Sequence, residues 1–413
     1  MSTHVLVFAG WETLEEATRL GTLRASIIRN KENFSFSYED DWLNSGAAQQ
    51  IDPELQLYAG EQYTDNEKNF RIFLDSCPDR WGRVLMQRRE AVLARDENRK
   101  PRLLREIDYL LGVHDMYRMG ALRFKKDDDG DFLDNNKELA APPITSLKEL
   151  EYAAQQIENN LDLDDPQYRK WLNMLMSPGS SLGGARPKSC VVDENNELWL
   201  AKFPSGHDEH DIGAWEYVTH RLALGAGINM APCQIHQFNG EHHTFLTKRF
   251  DRTPTGRLHF SSAMTQLEYF DGEDGASYIE LAEFLTENGS NTQEDLAQLW
   301  RRIVFNIAVS NCDDHLRNHG FIYQEKGWVL SPAYDINPVN TGAGLHLNIT
   351  EYDNSLDFDI AMEVIDYFQL TEDKARKIKN EVVDSVNNWE EVASSIGISR
   401  QAQQLMAPAF NVS

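Results

Sequence analysis

Residues 311–318 read Asn-Cys-Asp-Asp-His-Leu-Arg-Asn, which places two carboxylates, an imidazole, a guanidinium and two amides in one short stretch. Leu296, Leu299, Ile303 and Ile307 mark one helical face before it, and Gly320-Phe-Ile-Tyr323 predicts a strand after it. A polar loop held between two buried elements is where catalytic groups are commonly placed. Three uses are open to such a loop: binding metal and phosphate, binding metal alone, or solvating a turn.

The rest of the chain narrows these uses. Its 413 residues suffice for two or three domains with sizeable cores. A net charge of −26 argues against nonspecific binding of nucleic acid or anionic membrane by the whole surface, although a local basic patch remains compatible with it. No apolar run approaches the roughly 18–20 residues that a membrane span needs, and the N-terminus lacks the basic region of a signal peptide. Cys77, Cys190, Cys233 and Cys312 are scattered without a zinc-type spacing, as expected of free thiols in a reducing cytoplasm.

Val5-Leu-Val-Phe8 and Phe34-Ser-Phe-Ser-Tyr38 predict strands, the second by its alternation. Residues 67–95 predict a helix interrupted near Pro78. The acidic, Pro-containing run 125–143 reads as a hairpin tip or linker; it lacks the spacing and closing Glu of an EF-hand. Helical patterning returns over 146–173. Strands at 189–192 and 198–202 form a hairpin around the polar turn 193–196. A helix over 212–225 and a strand over 243–250 follow. After about residue 275 helices are expected to dominate, with Asn291 and Glu294 as a capping pair and a helix from Glu372 to Val392 capped by Thr371.

Four stretches carry chemistry. The glycine-rich run from Ser177 to Lys188 includes Ser181, Gly183 and Gly184, whose backbone could turn its N–H groups to an anion. It ends in Ala-Arg-Pro-Lys and not the Gly-Lys-[Ser/Thr] of a P-loop. Lys202 closes the strand Leu-Trp-Leu-Ala-Lys on the face of Leu198 and Leu200; it either snorkels to solvent or is buried against a carboxylate such as Glu216. Asp313 and Asn318 have the five-residue spacing of a base and a metal-holding amide. Tyr334-Asp335-Ile-Asn337 follows an apolar run and supplies an aspartate suited to magnesium. Glycine-rich loop, strand lysine, helix glutamate, base-plus-amide loop and metal aspartate occur in protein-kinase order.

Competing chemistries are weaker. Asp313, Asp314, His315 and His319 could ligate zinc or iron, and the two histidines have i, i+4 spacing. Asn318 and Gly320, however, suggest a loop rather than a helix. His207 and His210 lie in polar sequence and read as solvated.

With these residues in view, the chain resembles the HipA family of bacterial serine/threonine kinase toxins. The resemblance lies in Phe34-Ser-Phe-Ser-Tyr-Glu-Asp-Asp-Trp-Leu43, Pro78-Asp-Arg-Trp-Gly-Arg83, Met119-Gly-Ala-Leu-Arg-Phe124 and Ser181-Leu-Gly-Gly-Ala-Arg-Pro-Lys188. It continues in Lys248-Arg-Phe-Asp-Arg252, residues 311–318 and Pro332-Ala-Tyr-Asp-Ile336. It implies an α+β, protein-kinase-like two-lobed fold. An N-terminal α/β subdomain would span 1–143, a small lobe 144–252 and a mainly helical C-terminal lobe 253–413.

The resemblance also implies roles. Asp313 would be the catalytic base, and Asn318 and Asp335 would hold Mg²⁺. Lys202 would contact the ATP phosphates, with Ser181, Gly183, Gly184 and Lys188 in the phosphate loop and His315 beside the nucleotide. In the hinge after Lys248, Phe250 would offer its backbone to adenine and Asp251 would lie near the ribose. Ser181 would be an autophosphorylation site, where added negative charge would repel the ATP phosphates. Implied partners are a protein substrate, with a translation component as candidate, and a small helix-turn-helix antitoxin through which DNA is reached indirectly. The sequence departs from the family at Gly184-Ala-Arg-Pro, where a Gln-Glu pair often precedes the lysine, and at Lys248, where an acidic residue can occur. A non-catalytic, kinase-like nucleotide-binding module acting as co-repressor is the alternative.

Overall fold

The computed structural model describes residues 2–64, 68–136, 141–159, 166–176, 184–238, 240–324 and 326–412. These pack as two compact units. The first comprises Met1–Ala201 and Asp251–Ser261, and the second Lys202–Phe250 and Ser262–Ser413. The stretch 144–252, read from sequence as one lobe, therefore contributes to both.

The first unit is built on strands β1 (Ser2–Ala9), β2 (Thr18–Ile28), β3 (Lys31–Tyr38), β4 (Gln62–Tyr63) and β5 (Leu122–Lys125). They form one sheet in the order β4-β3-β2-β1-β5. Alternation decides its faces: Phe34, Phe36 and Tyr38 of β3 are all buried, packed with Val5, Val7, Leu23 and Phe73. Gly21 sits opposite the irregularity between Val7 and Phe8, where a Cβ would come within 2.4 Å of the Ser37 carbonyl oxygen. Helices α1 (Arg80–Asp96), α2 (Glu106–Leu111), α3 (Leu147–Glu158) and α4 (Pro166–Leu175) follow, as does the hairpin β6 (Lys188–Val192) and β7 (Leu198–Lys202).

The run 125–143, read as a hairpin tip or linker, folds back on its own unit where it is described. Leu133 N–H donates to the Phe124 carbonyl at 2.8 Å, and Asp128 pairs with Arg19 at 3.1 Å.

The second unit holds α5 (Ile212–Gly225), the hairpin β8 (Cys233–Gln237) and β9 (His243–Lys248), α6 (Tyr278–Asn288) and α7 (Thr292–Val309). The hairpin β10 (Gly320–Gln324) and β11 (Gly327–Leu330), then α8 (Glu372–Val386) and α9 (Trp389–Ser395), also belong to it. Helix α7 is its centre: Leu296, Leu299, Ile303 and Ile307 are all fully buried.

Two local expectations need correction here. The region beyond residue 275 is less helical than its periodicity suggested, because residues 331–357 form an irregular, hydrogen-bonded segment, with Leu345 N–H donating to the Asn354 carbonyl at 2.8 Å. The helix expected to reach Val392 ends at Val386, where Asn388 Nδ2 donates back to the Asp384 carbonyl at 2.7 Å. Asparagine competes with helix continuation in this way. Among the described residues, no helix is long and apolar enough to cross a membrane.

Candidate active site

In the second unit a charged triad is assembled from three separate elements. Lys202 ends β7, Glu216 lies in the second turn of α5, and Asp335 follows β11. Lys202 Nζ lies 2.5 Å from Glu216 Oε1 and 2.5 Å from Asp335 Oδ1. Its side chain is only 11% exposed, so the snorkelling alternative is excluded. Burial opposes the ammonium charge, but the Asp335 and Glu216 carboxylates outweigh it and hold the lysine above its ordinary range.

Local chemistry places each member. Asp211 caps α5 by accepting from Ala214 N–H at 3.1 Å, and also accepts from His243 N–H of β9 at 2.8 Å. Gly213 lets the helix approach β9 closely, since a Cβ there would fall 2.2 Å from the His243 carbonyl oxygen. Thr219, one turn beyond Glu216, donates its hydroxyl to the Ile336 carbonyl at 2.6 Å. That bond ties the glutamate helix to the residue after Asp335. Asp335 itself adopts a left-handed backbone at φ 59°, a conformation that Asp tolerates better than most residues.

The 311–318 loop is bound to the same segment. Asn337 N–H donates to Asn311 Oδ1 at 3.3 Å, and the Tyr334 hydroxyl donates to the Arg317 carbonyl at 2.9 Å. Asn318 Nδ2 donates to the Asp313 carbonyl at 2.9 Å. Asp313 is exposed, whereas its neighbour Asp314 is 3% exposed. His315 is half-buried and its imidazole is pulled below its ordinary pKa by burial, against the opposing charges of Asp313 and Asp335. Phe250 stacks on Tyr334 with ring centroids 5.6 Å apart, and Lys248, the last residue of β9, donates its N–H to the Pro232 carbonyl at 2.8 Å.

The residues fit a hard cation. Asn318 Oδ1 is buried and accepts no hydrogen bond, and neither does Asn337 Oδ1. A buried amide oxygen left open is costly unless something else meets it. With the Asp335 carboxylate such an oxygen would offer an all-oxygen donor set, which would suit magnesium completed by phosphate and water. Among the described residues, no three His, Cys, Asp or Glu side chains converge on a metal position, so the zinc or iron cluster considered from sequence is not assembled.

In the first unit, two expected ligands have buried internal partners. Lys188 Nζ lies 2.7 Å from Asp79, and both side chains are 3% exposed. Asp79 also caps α1 by accepting from Gly82 N–H at 2.8 Å, and Trp81 Nε1 donates to the Lys188 carbonyl at 3.2 Å. The Pro78–Arg83 motif is thus a helix start that receives the lysine. Asp251 is fully buried; it accepts from Gly120 N–H at 2.8 Å and from Arg252 at 2.7 Å. These contacts brace the first unit internally. Gly184 is exposed with φ 94°; Ser181 and Gly183 lie outside the described residues.

Sequence reading overlooked Thr219, Asn306 and Tyr278. Asn306 carried a usable signal, an amide between Phe305 and Ile307 in an otherwise apolar stretch of α7.

Lys202 on a strand, paired with Glu216 on a helix, and the loop of Asp313 and Asn318 ahead of Asp335 follow the order of a protein-kinase-like fold. The family model described as HipA-like C-terminal domain matches residues 180–390, more than half of the chain, and the chain belongs to that family. Its backbone is also similar to a chain from the solved complex of the Shewanella oneidensis MR-1 toxin–antitoxin system HipA, HipB and its operator DNA. The TM-score is 0.66 at 18% identity, covering 98% of this chain and 94% of that one.

Two curated relatives are more distant in extent. A Haemophilus influenzae protein named "Putative kinase" is 26% identical over 184 residues, 39% of this chain and 53% of its own length. "Putative kinase Y4dM" of Sinorhizobium fredii is 29% identical over 152 residues, 33% of this chain and 36% of its own length. The chain thus spans about half the length, or less, of the curated relatives it matches.

Proposed function

We propose that the chain is an ATP- and Mg²⁺-dependent protein serine/threonine kinase, the toxin of a toxin–antitoxin pair. The observation that carries this reading is Lys202 held at 2.5 Å by both Glu216 and Asp335. A lysine fixed in that way is ready to meet the α- and β-phosphates.

Asn318 and Asp335 hold the metal, and bound Mg²⁺ neutralises phosphate charge. Phe250, after Lys248, offers its backbone to adenine. His315 stands beside the nucleotide. Asp313 accepts the proton of the substrate hydroxyl while that oxygen bonds the γ-phosphorus and the bond from phosphorus to the β–γ bridging oxygen breaks, so that ADP leaves. Catalysis is therefore mainly positioning and charge neutralisation. Ser181, with Gly183 and Gly184, belongs to the phosphate loop and is the site of inactivating autophosphorylation.

The likeness to a chain solved with HipB and operator DNA supports a small helix-turn-helix antitoxin as partner. DNA is reached only through it, as suits a chain of net charge −26. The substrate is a cytoplasmic protein, with a translation component as candidate.

The test is incubation with γ-labelled ATP and Mg²⁺. Label is expected on Ser181 or on a protein substrate, and Asp313→Gln is expected to abolish transfer while ATP binding largely survives. Undiminished autophosphorylation in that variant removes Asp313 as base. Absence of label from the wild type, with ATP still bound, favours the co-repressor reading.

A further inference from the structure

The two consecutive aspartates of the loop have opposite environments. Asp313 is exposed, while Asp314 is surrounded by side chains from three elements. Asp314 Oδ2 accepts from the Tyr278 hydroxyl and from Asn306 Nδ2, the latter at 2.6 Å. Asp314 Oδ1 lies 2.9 Å from His319 Nε2. Asn306 Nδ2 also reaches the Tyr278 hydroxyl at 3.0 Å, and its Oδ1 accepts from Asn311 Nδ2 at 3.1 Å. Tyr278 is fully buried, and Asn306 and His319 are each 2% exposed. Burial, then the Asp314 carboxylate, keeps the Tyr278 phenol protonated, so it is a donor.

A buried carboxylate is a costly way to close a turn, since a packed apolar side chain of similar volume often serves stability as well or better. What the carboxylate adds is direction. It fastens residue 314 at once to the start of α6, the last turns of α7 and the far end of the loop. Adjacent Cα atoms are about 3.8 Å apart, so Asp313 cannot shift far while Asp314 is held.

We infer that Asp314, gripped by Tyr278 and Asn306, is the positioning residue for Asp313 and sets where the base carboxylate stands for the substrate hydroxyl. This rests on the reading of Asp313 as the base. A misplacement of about 1 Å in such a group can cost on the order of 10²-fold in rate.

The test is Tyr278→Phe, which keeps the ring and removes the hydroxyl, with Asp314→Asn as a second variant. Phosphotransfer by Tyr278→Phe is expected to fall about 10- to 100-fold in kcat, with KM for ATP within about twofold. Added to Asp313→Ala, the same substitution is expected to leave the residual rate unchanged, because its effect passes through the base. Hydrogen exchange at the amides of residues 312–315 is expected to quicken in both single variants. A kcat within about twofold of wild type, or an equal loss in the Asp313→Ala background, overturns the positioning role. If the wild type transfers no phosphate, the kinase reading fails separately; unchanged exchange at 312–315 then overturns the brace, and faster exchange sustains it.

Discussion

Two lysines with little exposure, Lys188 and Lys202, show how a partner fixes the meaning of a residue. Lys202 is held by two carboxylates, one of them on the aspartate assigned to metal, and so belongs to the proposed site. Lys188 pairs with Asp79 at 2.7 Å, with both groups nearly sealed from water. Removing one member of such a pair leaves an uncompensated buried charge, which costs about 3–5 kcal/mol. Lys188→Met is therefore expected to lose stability of that order in urea denaturation, with KM for ATP within about twofold when assayed below the melt. A lysine that met the γ-phosphate would give the reverse, a raised KM at unchanged stability. The sequence placed both lysines near phosphate, because a glycine-rich loop and a strand end each look like phosphate chemistry. Nothing local to Lys188 announces Asp79.

At the scale of elements, caps separate a true helix start from an apparent one. Ser277 accepts from Glu280 N–H at 3.3 Å, and Glu280 accepts in return from Ser277 N–H at 2.7 Å, a complete capping box that begins α6 at Tyr278. Ser277→Ala is expected to cost about 1 kcal/mol, whereas Asn291→Ala at the start of α7 is expected to cost well under half of that. Thermal melts of the two variants decide it, and equal losses would contradict the assignment. Asn291 and Glu294 have the spacing of a cap, but Asn291 sits at φ −131°, ψ 42° and its side chain bonds no helix N–H. Thr371 behaves as its sequence suggests and accepts from Lys374 N–H at 3.3 Å. Spacing proposes a cap; the entry angle of the chain, set by the preceding turn, decides whether the side chain can reach.

For the whole molecule, each unit has its own core, and pH acts on them through buried acids. Asp52 of the first unit is 1% exposed and accepts from Ile72 N–H at 2.8 Å and Glu54 N–H at 2.9 Å. Burial pushes its carboxyl up to about 7, against the pull of those N–H groups. An unfolded aspartate titrates near 3.9. Between about pH 4 and 7 the folded state thus binds the extra proton, so the stabilisation is complete at low pH and is lost as pH rises through 7. Over that window Asp52 is expected to contribute a decline of about 4 kcal/mol, which Asp52→Asn removes. Denaturation curves at several pH values check this, and an equal slope in variant and wild type would refute it.

The sequence alone determined the order of elements and most of their types. The alternation of β3 and the buried stripe of α7 follow from side-chain spacing within one element, where neighbours along the chain are neighbours in space. It also determined the kinase-type order of candidate groups and the family resemblance. Tertiary structure decided which polar groups meet. Lys202 and Asp335 are 133 residues apart, and Trp81 and Lys188 are 107 apart. It also decided that Asp314 turns inward while Asp313 remains exposed. Two identical side chains in adjacent positions carry no local difference; only the tyrosine, asparagine and histidine folded around one of them create it.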